Sequence, residues 1–234
     1  MEAIILAGGK GTRLAGVVPN LPKPMAPIAG KPFLWYLLQS LQQQGFTRVI
    51  LSIGHLAAEI RNGFAHRDGP LEVIFCEENE PLGTGGAIRA AMRMAQGESV
   101  FVLNGDTFAT VDYAAMQQQH VATASTLSLA LMPVPDTTRY GAVQVDGTHV
   151  MGFSEKGRSG PGYINAGVYL MQRNLLETLQ LPERFSFEEQ VLMQYLRDLR
   201  PTAFLASGYF IDIGIPEDYA RAQEELPRQM FFKE

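Results

Sequence analysis

The sequence predicts an α/β protein built on a doubly wound, mixed sheet. Three observations carry that expectation. Apolar runs and helix-like stretches alternate through the first half, which is the signature of strands connected by crossover helices. The runs themselves, Ala3–Leu6, Arg48–Ile53, Glu72–Cys76 and Ser99–Leu103, are short and rich in Val, Ile, Leu or Phe, as parallel strands covered on both faces are. The second half then changes to strand-like segments joined by close turns, which adds antiparallel strands to the core.

The elements follow in order. The run Ala3–Leu6 opens into a glycine-rich turn. Helices are expected over Phe33–Gln44, Leu56–Phe64 and Thr84–Ala95, with punctuation at Gly45, Gly54 and Pro81-Leu82-Gly83. Beyond them, Thr126–Val134, Ala142–Asp146, Val150–Ser154 and Tyr163–Met171 read as strands, with Asp146-Gly147 as a turn. Helices return at Phe187–Leu199 and Pro216–Glu225. Ser186 with Glu189 forms a capping-box pattern, and Pro216 suits a first helical position. Pro182 and Pro201 mark turns. No repeat and no linker interrupts the chain, so residues 1–234 are expected to form one domain.

Composition narrows the function classes. With 234 residues, 46% of them hydrophobic and 18% charged, the chain can bury a sizeable core and does not read as disordered. A net charge of −5 and the lack of a basic block argue against nucleic acid as a partner. The single cysteine, Cys76, fits a reducing, cytoplasmic compartment. No signal peptide and no membrane-spanning run is expected. The apolar residues Met230, Phe231 and Phe232 near the end suit docking on the body or on a second copy, so a homodimer is a reasonable expectation.

Four constellations carry chemistry. Leu6-Ala7-Gly8-Gly9-Lys10-Gly11-Thr12-Arg13-Leu14 directly follows a strand. It has neither Walker A nor dinucleotide-fingerprint spacing, and a bare glycine turn is usually only a turn. Thr12 and Arg13 make it more specific, because exposed amides and a guanidinium fork suit phosphate oxygens. Pro22-Lys23-Pro24-Met25-Ala26-Pro27 holds a lysine between prolines in a segment read as neither helix nor strand. A cation fixed in advance suits charge that develops in a transition state. Val102-Leu103-Asn104-Gly105-Asp106 ends a strand in a carboxylate suited either to Mg²⁺ or to a plain turn. Tyr209-Phe210-Ile211-Asp212-Ile213-Gly214 places a second aspartate in an apolar run, where it needs a partner. A metal shared with Asp106 would be one.

Two lesser sites are Glu155-Lys156 after a strand, which also reads as a solvated pair, and Asn165 within a strand, which must be hydrogen-bonded to ligand hydroxyls or to backbone. His55, His66, His120 and His149 lack metal spacing and read as surface residues. Trp35 reads as core. Glu188 and Glu189 are explained as acidic residues in the first turn of a helix.

Taken together, Leu6–Leu14, Pro22–Pro27, Asn104–Asp106, Glu155-Lys156 and Asp212 resemble the sugar-1-phosphate nucleotidyltransferases, in order and over nearly the whole chain. The resemblance implies the Rossmann-like nucleotidyltransferase (nucleotide-diphospho-sugar transferase) fold. It implies a cytoplasmic enzyme that joins a nucleoside triphosphate to a sugar 1-phosphate and releases pyrophosphate with Mg²⁺. Glu80-Pro81-Leu82-Gly83-Thr84-Gly85-Gly86-Ala87 is similar to the guanylyltransferase branch, so GTP is the expected donor, with a heptose 1-phosphate as acceptor. Mannose 1-phosphate or another hexose 1-phosphate, with guanylyl or uridylyl transfer, is the alternative. A non-catalytic, nucleotide-sugar-binding regulatory subunit is the alternative of another class. The product would feed a bacterial capsule or lipopolysaccharide. No counterpart of the C-terminal β-helix or isomerase domain of some members is seen, so acetyltransferase or isomerase activity is not expected.

The resemblance also assigns roles. Leu6, Ala7, Gly8, Gly9, Gly11 and Thr12 would cradle the nucleotide. Arg13 would hold the triphosphate, and Lys23 would bridge the reacting phosphates. Thr84 and Gly85 would lie by the base. Asp106 and Asp212 would hold Mg²⁺, with Arg13, Lys23 and Asp106 as the catalytic set. Lys156 would bind the sugar phosphate, with Tyr140, Gly141, Glu155 and Asn165 around the sugar.

Overall fold

The computed structural model describes residues 1–9, 18, 20–65, 69–157 and 159–231. The strands and helices run β1 (Glu2–Leu6), β2 (Pro27–Ile28), β3 (Lys31–Pro32), α1 (Phe33–Gln43), β4 (Arg48–Ile53), α2 (Ala57–Phe64), β5 (Glu72–Glu77), α3 (Gly83–Met92), β6 (Ser99–Asn104), β7 (Thr107–Ala109), α4 (Tyr113–Ala122), β8 (Leu127–Val134), β9 (Val143–Asp146), β10 (His149–Phe153), β11 (Gly162–Gln172), α5 (Leu196–Leu199), β12 (Thr202–Leu205), β13 (Phe210–Asp212) and α6 (Pro216–Phe231). Nine strands form one mixed sheet in the order β5-β4-β1-β6-β11-β8-β12-β10-β9. The first four are mutually parallel. β11 lies antiparallel to both β6 and β8, as the change of pattern in the second half predicts.

The central strands β1, β4, β6 and β8 are buried on both faces, which is why they read as continuous apolar runs. Along β1, Ala3 and Ile5 enter the core shared with α1, α2, α4 and α6, while Ile4 enters the core shared with α3. On the first face Phe46, Phe101 and Tyr113 meet edge to face, with centroids 5.0–5.3 Å apart. Trp35 is only half-buried at the rim of this core, with Lys31 above its ring.

Several elements differ from expectation. The proline segment forms a single 3₁₀ turn over Lys23–Met25, with Pro24 buried inside it. The helix expected over 187–199 is π-helical at Glu188–Met193 and breaks before α5. Ser186 Oγ accepts from Glu189 N at 3.2 Å, but the return bond comes from Gln190, whose Oε1 accepts from Ser186 N at 2.7 Å. The wider turn moves the reciprocal cap one residue along. His120 is buried, not exposed, with Nδ1 2.8 Å from Ser128 Oγ. It sits on α4, a helix the sequence reading did not find. Asp112 caps this helix by accepting from Ala115 N at 2.9 Å. Asp112→Ala is therefore expected to destabilise the protein by about 1 kcal/mol in urea unfolding.

Candidate active site

β1 pairs with β4 on one side and β6 on the other, so the chain reverses its winding at the carboxyl ends of β1 and β6. Ligands of open α/β sheets bind in the crevice at such a point. Two adjoining cavities open there. The larger, about 540 Å³, is lined by Gly8, Gly9, Ser52, Glu78, Pro81 and Ala87 among others. The smaller, about 220 Å³, is lined by Ala7, Lys23, Asn104, Asp106 and Glu188 among others. Leu6, Gly9 and Thr84 line both. Gly11, Thr12 and Arg13 lie outside the described residues, as do His66 and Phe232.

Three charged side chains line the smaller cavity, Lys23, Asp106 and Glu188, and Asp212 stands behind Asp106 without lining it. Lys23 Nζ donates to Asp106 Oδ2 at 2.7 Å, and the lysine side chain is only 14% exposed. Asp212 reaches the same corner through a backbone ladder. β13 pairs with β7, Asp212 stands opposite Thr107, and Ile213 N donates to Asp106 O at 3.0 Å. Asp212 Oδ1 accepts from Gly214 N at 2.7 Å. Burial, and then the neighbouring Asp106 carboxylate, push the Asp212 carboxyl above the usual range, while Lys23 and Arg139 act in the opposite direction. A Cβ at Gly214 would stand 2.7 Å from Asp212 Oδ1 and 3.2 Å from Lys23 Nζ, so only glycine leaves room for both side chains there.

The residues expected around the acceptor sugar stand on two joined turns and on β11. Tyr140 packs edge to face on Phe210, two residues before Asp212, with centroids 5.6 Å apart. Arg139 stacks on Tyr140 and pairs with the buried Asp218 at 2.6 Å, tying this turn to the start of α6. Gly141 (φ +78°) lies against Ser154 O, and Gly157 N donates to Thr138 O at 2.9 Å, so the 137–141 turn and the 154–157 turn are joined. Glu155 and Lys156 on the latter are exposed. Asn165 is turned inward: Nδ2 donates to the Tyr169 hydroxyl at 2.8 Å, and Oδ1 accepts from Gly167 N at 3.0 Å. These bonds hold a bulge in β11, where its register against β8 shifts. Neither cavity is lined by Tyr140, Gly141, Glu155, Lys156 or Asn165.

The glycines at the start of α3 have a different use from the expected one. Gly85 is buried and does not line either cavity. Its N–H donates to Phe185 O at 2.9 Å, and a Cβ there would stand 2.1 Å from the Phe185 ring. A Cβ at Gly83 (φ +73°) would stand 2.5 Å from Phe185 O. The motif thus seats α3 on the 183–187 segment. Gly85→Ala is expected to destabilise the fold by about 1–3 kcal/mol through overpacking, read by urea unfolding. Thr84 does face both cavities, but its hydroxyl is committed: it accepts from Phe187 N and donates to Glu188 Oε2, each at 2.8 Å. Glu188 therefore belongs to the cavity wall and not merely to a helix start.

Sequence reasoning also passed over Ser52 and Glu78. Glu78 Oε1 accepts from Ser52 Oγ at 3.2 Å and Oε2 accepts from Leu82 N at 3.1 Å, which shapes the larger cavity. A carboxylate one residue beyond a parallel strand was the available signal.

The nucleotidyl transferase family model matches residues 2–229. The chain belongs to the nucleotidyl transferase family. D-glycero-α-D-manno-heptose 1-phosphate guanylyltransferase of Aneurinibacillus thermoaerophilus is 45% identical over 226 residues, covering 97% of this chain and 98% of that protein. Mannose-1-phosphate guanylyltransferase of Mycobacterium tuberculosis is 33% identical, covering 97% of this chain and 65% of that protein. The crystal structure of HddC from Yersinia pseudotuberculosis complexed with GMP-PN superimposes with a TM-score of 0.86 at 41% identity, covering 95% of this chain and 98% of that one.

Nucleotidyl transferases of this family generally use a divalent metal. Asp106 and Asp212 fit one. Both are hard oxygen donors, and Asp212 is held against a like charge that a cation would relieve. Among the described residues no cluster of three metal-ligating side chains exists, so such an ion would draw its remaining ligands from phosphate oxygens and water. No helix among the described residues is long and apolar enough to cross a membrane.

Proposed function

We propose that this protein transfers the guanylyl group of GTP to D-glycero-α-D-manno-heptose 1-phosphate, giving GDP-heptose and pyrophosphate. The observation that carries this is full-length likeness, 45% over 97% of the chain, to a protein of that name. The similar HddC complex with GMP-PN supports a guanine nucleotide as donor.

The chemistry follows from the charges. The attacking atom is a sugar-phosphate oxygen, already anionic at neutral pH, so no general base is required. The difficulty is to bring one anion in line with the α-phosphorus of another, and positioning with neutralisation supplies most of the rate. Gly8 and Gly9 let the donor approach β1 closely. Lys23 moves from Asp106 toward the reacting phosphates. Arg13 holds the departing pyrophosphate, while Tyr140, Gly141, Glu155, Lys156 and Asn165 border the acceptor. Asp106 and Asp212 hold Mg²⁺, which when bound polarises the phosphate oxygens. Residues 1–234 act as a single domain, as a homodimer in the cytoplasm where GTP is available, and sizing chromatography checks the dimer.

The test crosses GTP, UTP and dTTP with heptose, mannose and glucose 1-phosphates and reads pyrophosphate together with the product mass. The expected result is highest kcat/KM for GTP with the heptose. A preference for mannose 1-phosphate would favour the second reading, which rests on the 33% identity to the mycobacterial enzyme. Turnover of no pair would leave a binding subunit.

A further inference from the structure

Glu188 puts a second carboxylate, besides Asp106, into the smaller cavity. It lines the smaller cavity beside Lys23 and Asp106. Its Oε2 accepts from Thr84 Oγ1 at 2.8 Å and from Ser186 Oγ at 3.1 Å. Phe187 N donates to Thr84 Oγ1 at 2.8 Å, which leaves the threonine proton to point at Glu188. The side chain is therefore fixed through one oxygen by two neutral hydroxyls. Among the described residues its other oxygen, Oε1, receives no hydrogen bond, and Glu188 has no ion pair.

An ionised carboxylate only accepts. It repels phosphate oxygens, so it serves some other part of the bound molecules. Oε1 retains acceptor capacity for O–H donors, and ring hydroxyls supply them, as when an acidic residue bonds the ribose 2′-OH in dinucleotide folds. Its neighbours suit that role. Thr84, from which Glu188 hangs, lies on the boundary between the two cavities, where a sugar ring would connect a base to phosphates. We propose that Glu188 is a specificity-determining acceptor for a vicinal diol, on either the ribose of the nucleotide or the ring of the acceptor sugar. This rests on the substrates assigned above.

The test compares wild type, Glu188→Gln and Glu188→Ala on GTP, its 2′-deoxy and 3′-deoxy forms, and monodeoxy forms of the acceptor sugar phosphate. The quantity read is the ratio of kcat/KM for each parent to that for its deoxy form, which does not depend on how much of a variant is folded. Wild type is expected to lose roughly 10- to 100-fold on deoxy forms of one ring, the worth of a hydrogen bond to a charged group. In Glu188→Ala that ratio should fall to within about twofold of unity, with Glu188→Gln between. The ring affected identifies the source of the diol. Wild-type indifference to every deoxy form overturns the proposal. So does an unchanged ratio in Glu188→Ala, which is what a bracing role alone would give. Should the wild type use another base or sugar, the assigned function fails, and the same ratios taken on the pair it does use still decide the role of Glu188.

Discussion

Lys23→Ala is expected to lower kcat by roughly 100- to 1000-fold with the fold intact, the usual loss when one fixed contact to developing charge is removed. Lys23 begins a 3₁₀ turn whose next residue, Pro24, is buried, so its backbone is set before any ligand arrives. Its ammonium already lies 2.7 Å from Asp106, at the carboxyl edge of β6. Alanine removes that cation and leaves Asp106 and Asp212 facing one another. Asp106 is 35% exposed, so water takes up part of the loss and the stability change should stay near 1 kcal/mol. Lys23→Arg is expected to rescue poorly. A Cβ at Gly214 would stand only 3.2 Å from Lys23 Nζ, so the corner is fitted to a compact ammonium and a planar guanidinium needs more room. Steady-state kinetics beside a thermal melt check this. Near-normal pyrophosphate release by Lys23→Ala would remove the lysine from the mechanism.

The parallel half of the sheet was legible because strands buried on both faces write themselves as apolar runs, as β1, β4 and β6 do, and the half-buried edge strand β5 is apolar between its terminal glutamates. α4 was not, because between Tyr113, Met116 and His120 its sequence is mostly alanine and glutamine, and so thin a stripe gives no clear period. β7 and β13 are three residues each and are stabilised by each other, a pairing no local pattern announces. At the site, Lys23, Asp106 and Asp212 stood out because each breaks an apolar or proline-stiffened run. That they share one corner depends on the β7–β13 ladder and so on tertiary structure. Glu188 was hidden because acidic residues are ordinary at a helix start, and only the hydroxyls of Thr84 and Ser186 reveal where it points. Gly85 carries a related ambiguity. Glycine marks close approach, and the sequence does not say whether a ligand or Phe185 is the neighbour.

Asp106→Ala and Asp212→Asn should each remove most divalent-metal-dependent turnover, again by roughly 100- to 1000-fold. The two differ in stability. Asp106→Ala leaves Lys23 without its partner, so a modest loss is expected. Asp212→Asn removes a charge that burial and Asp106 both oppose, so its melting temperature should hold or rise. A variant that is stable yet inactive separates chemistry from folding. Metal binding can also be read without turnover: Mg²⁺ should raise the melting temperature of wild type and not of either variant, because an ion bound only to the folded state stabilises it by mass action. If both carboxylates hold the same ion, their losses should not add. The double variant should be about as inactive as either single one, since the second substitution acts on a site already empty. Additive losses, or full wild-type activity in excess chelator, would mean that the two aspartates serve separate purposes and that Lys23 alone neutralises the corner.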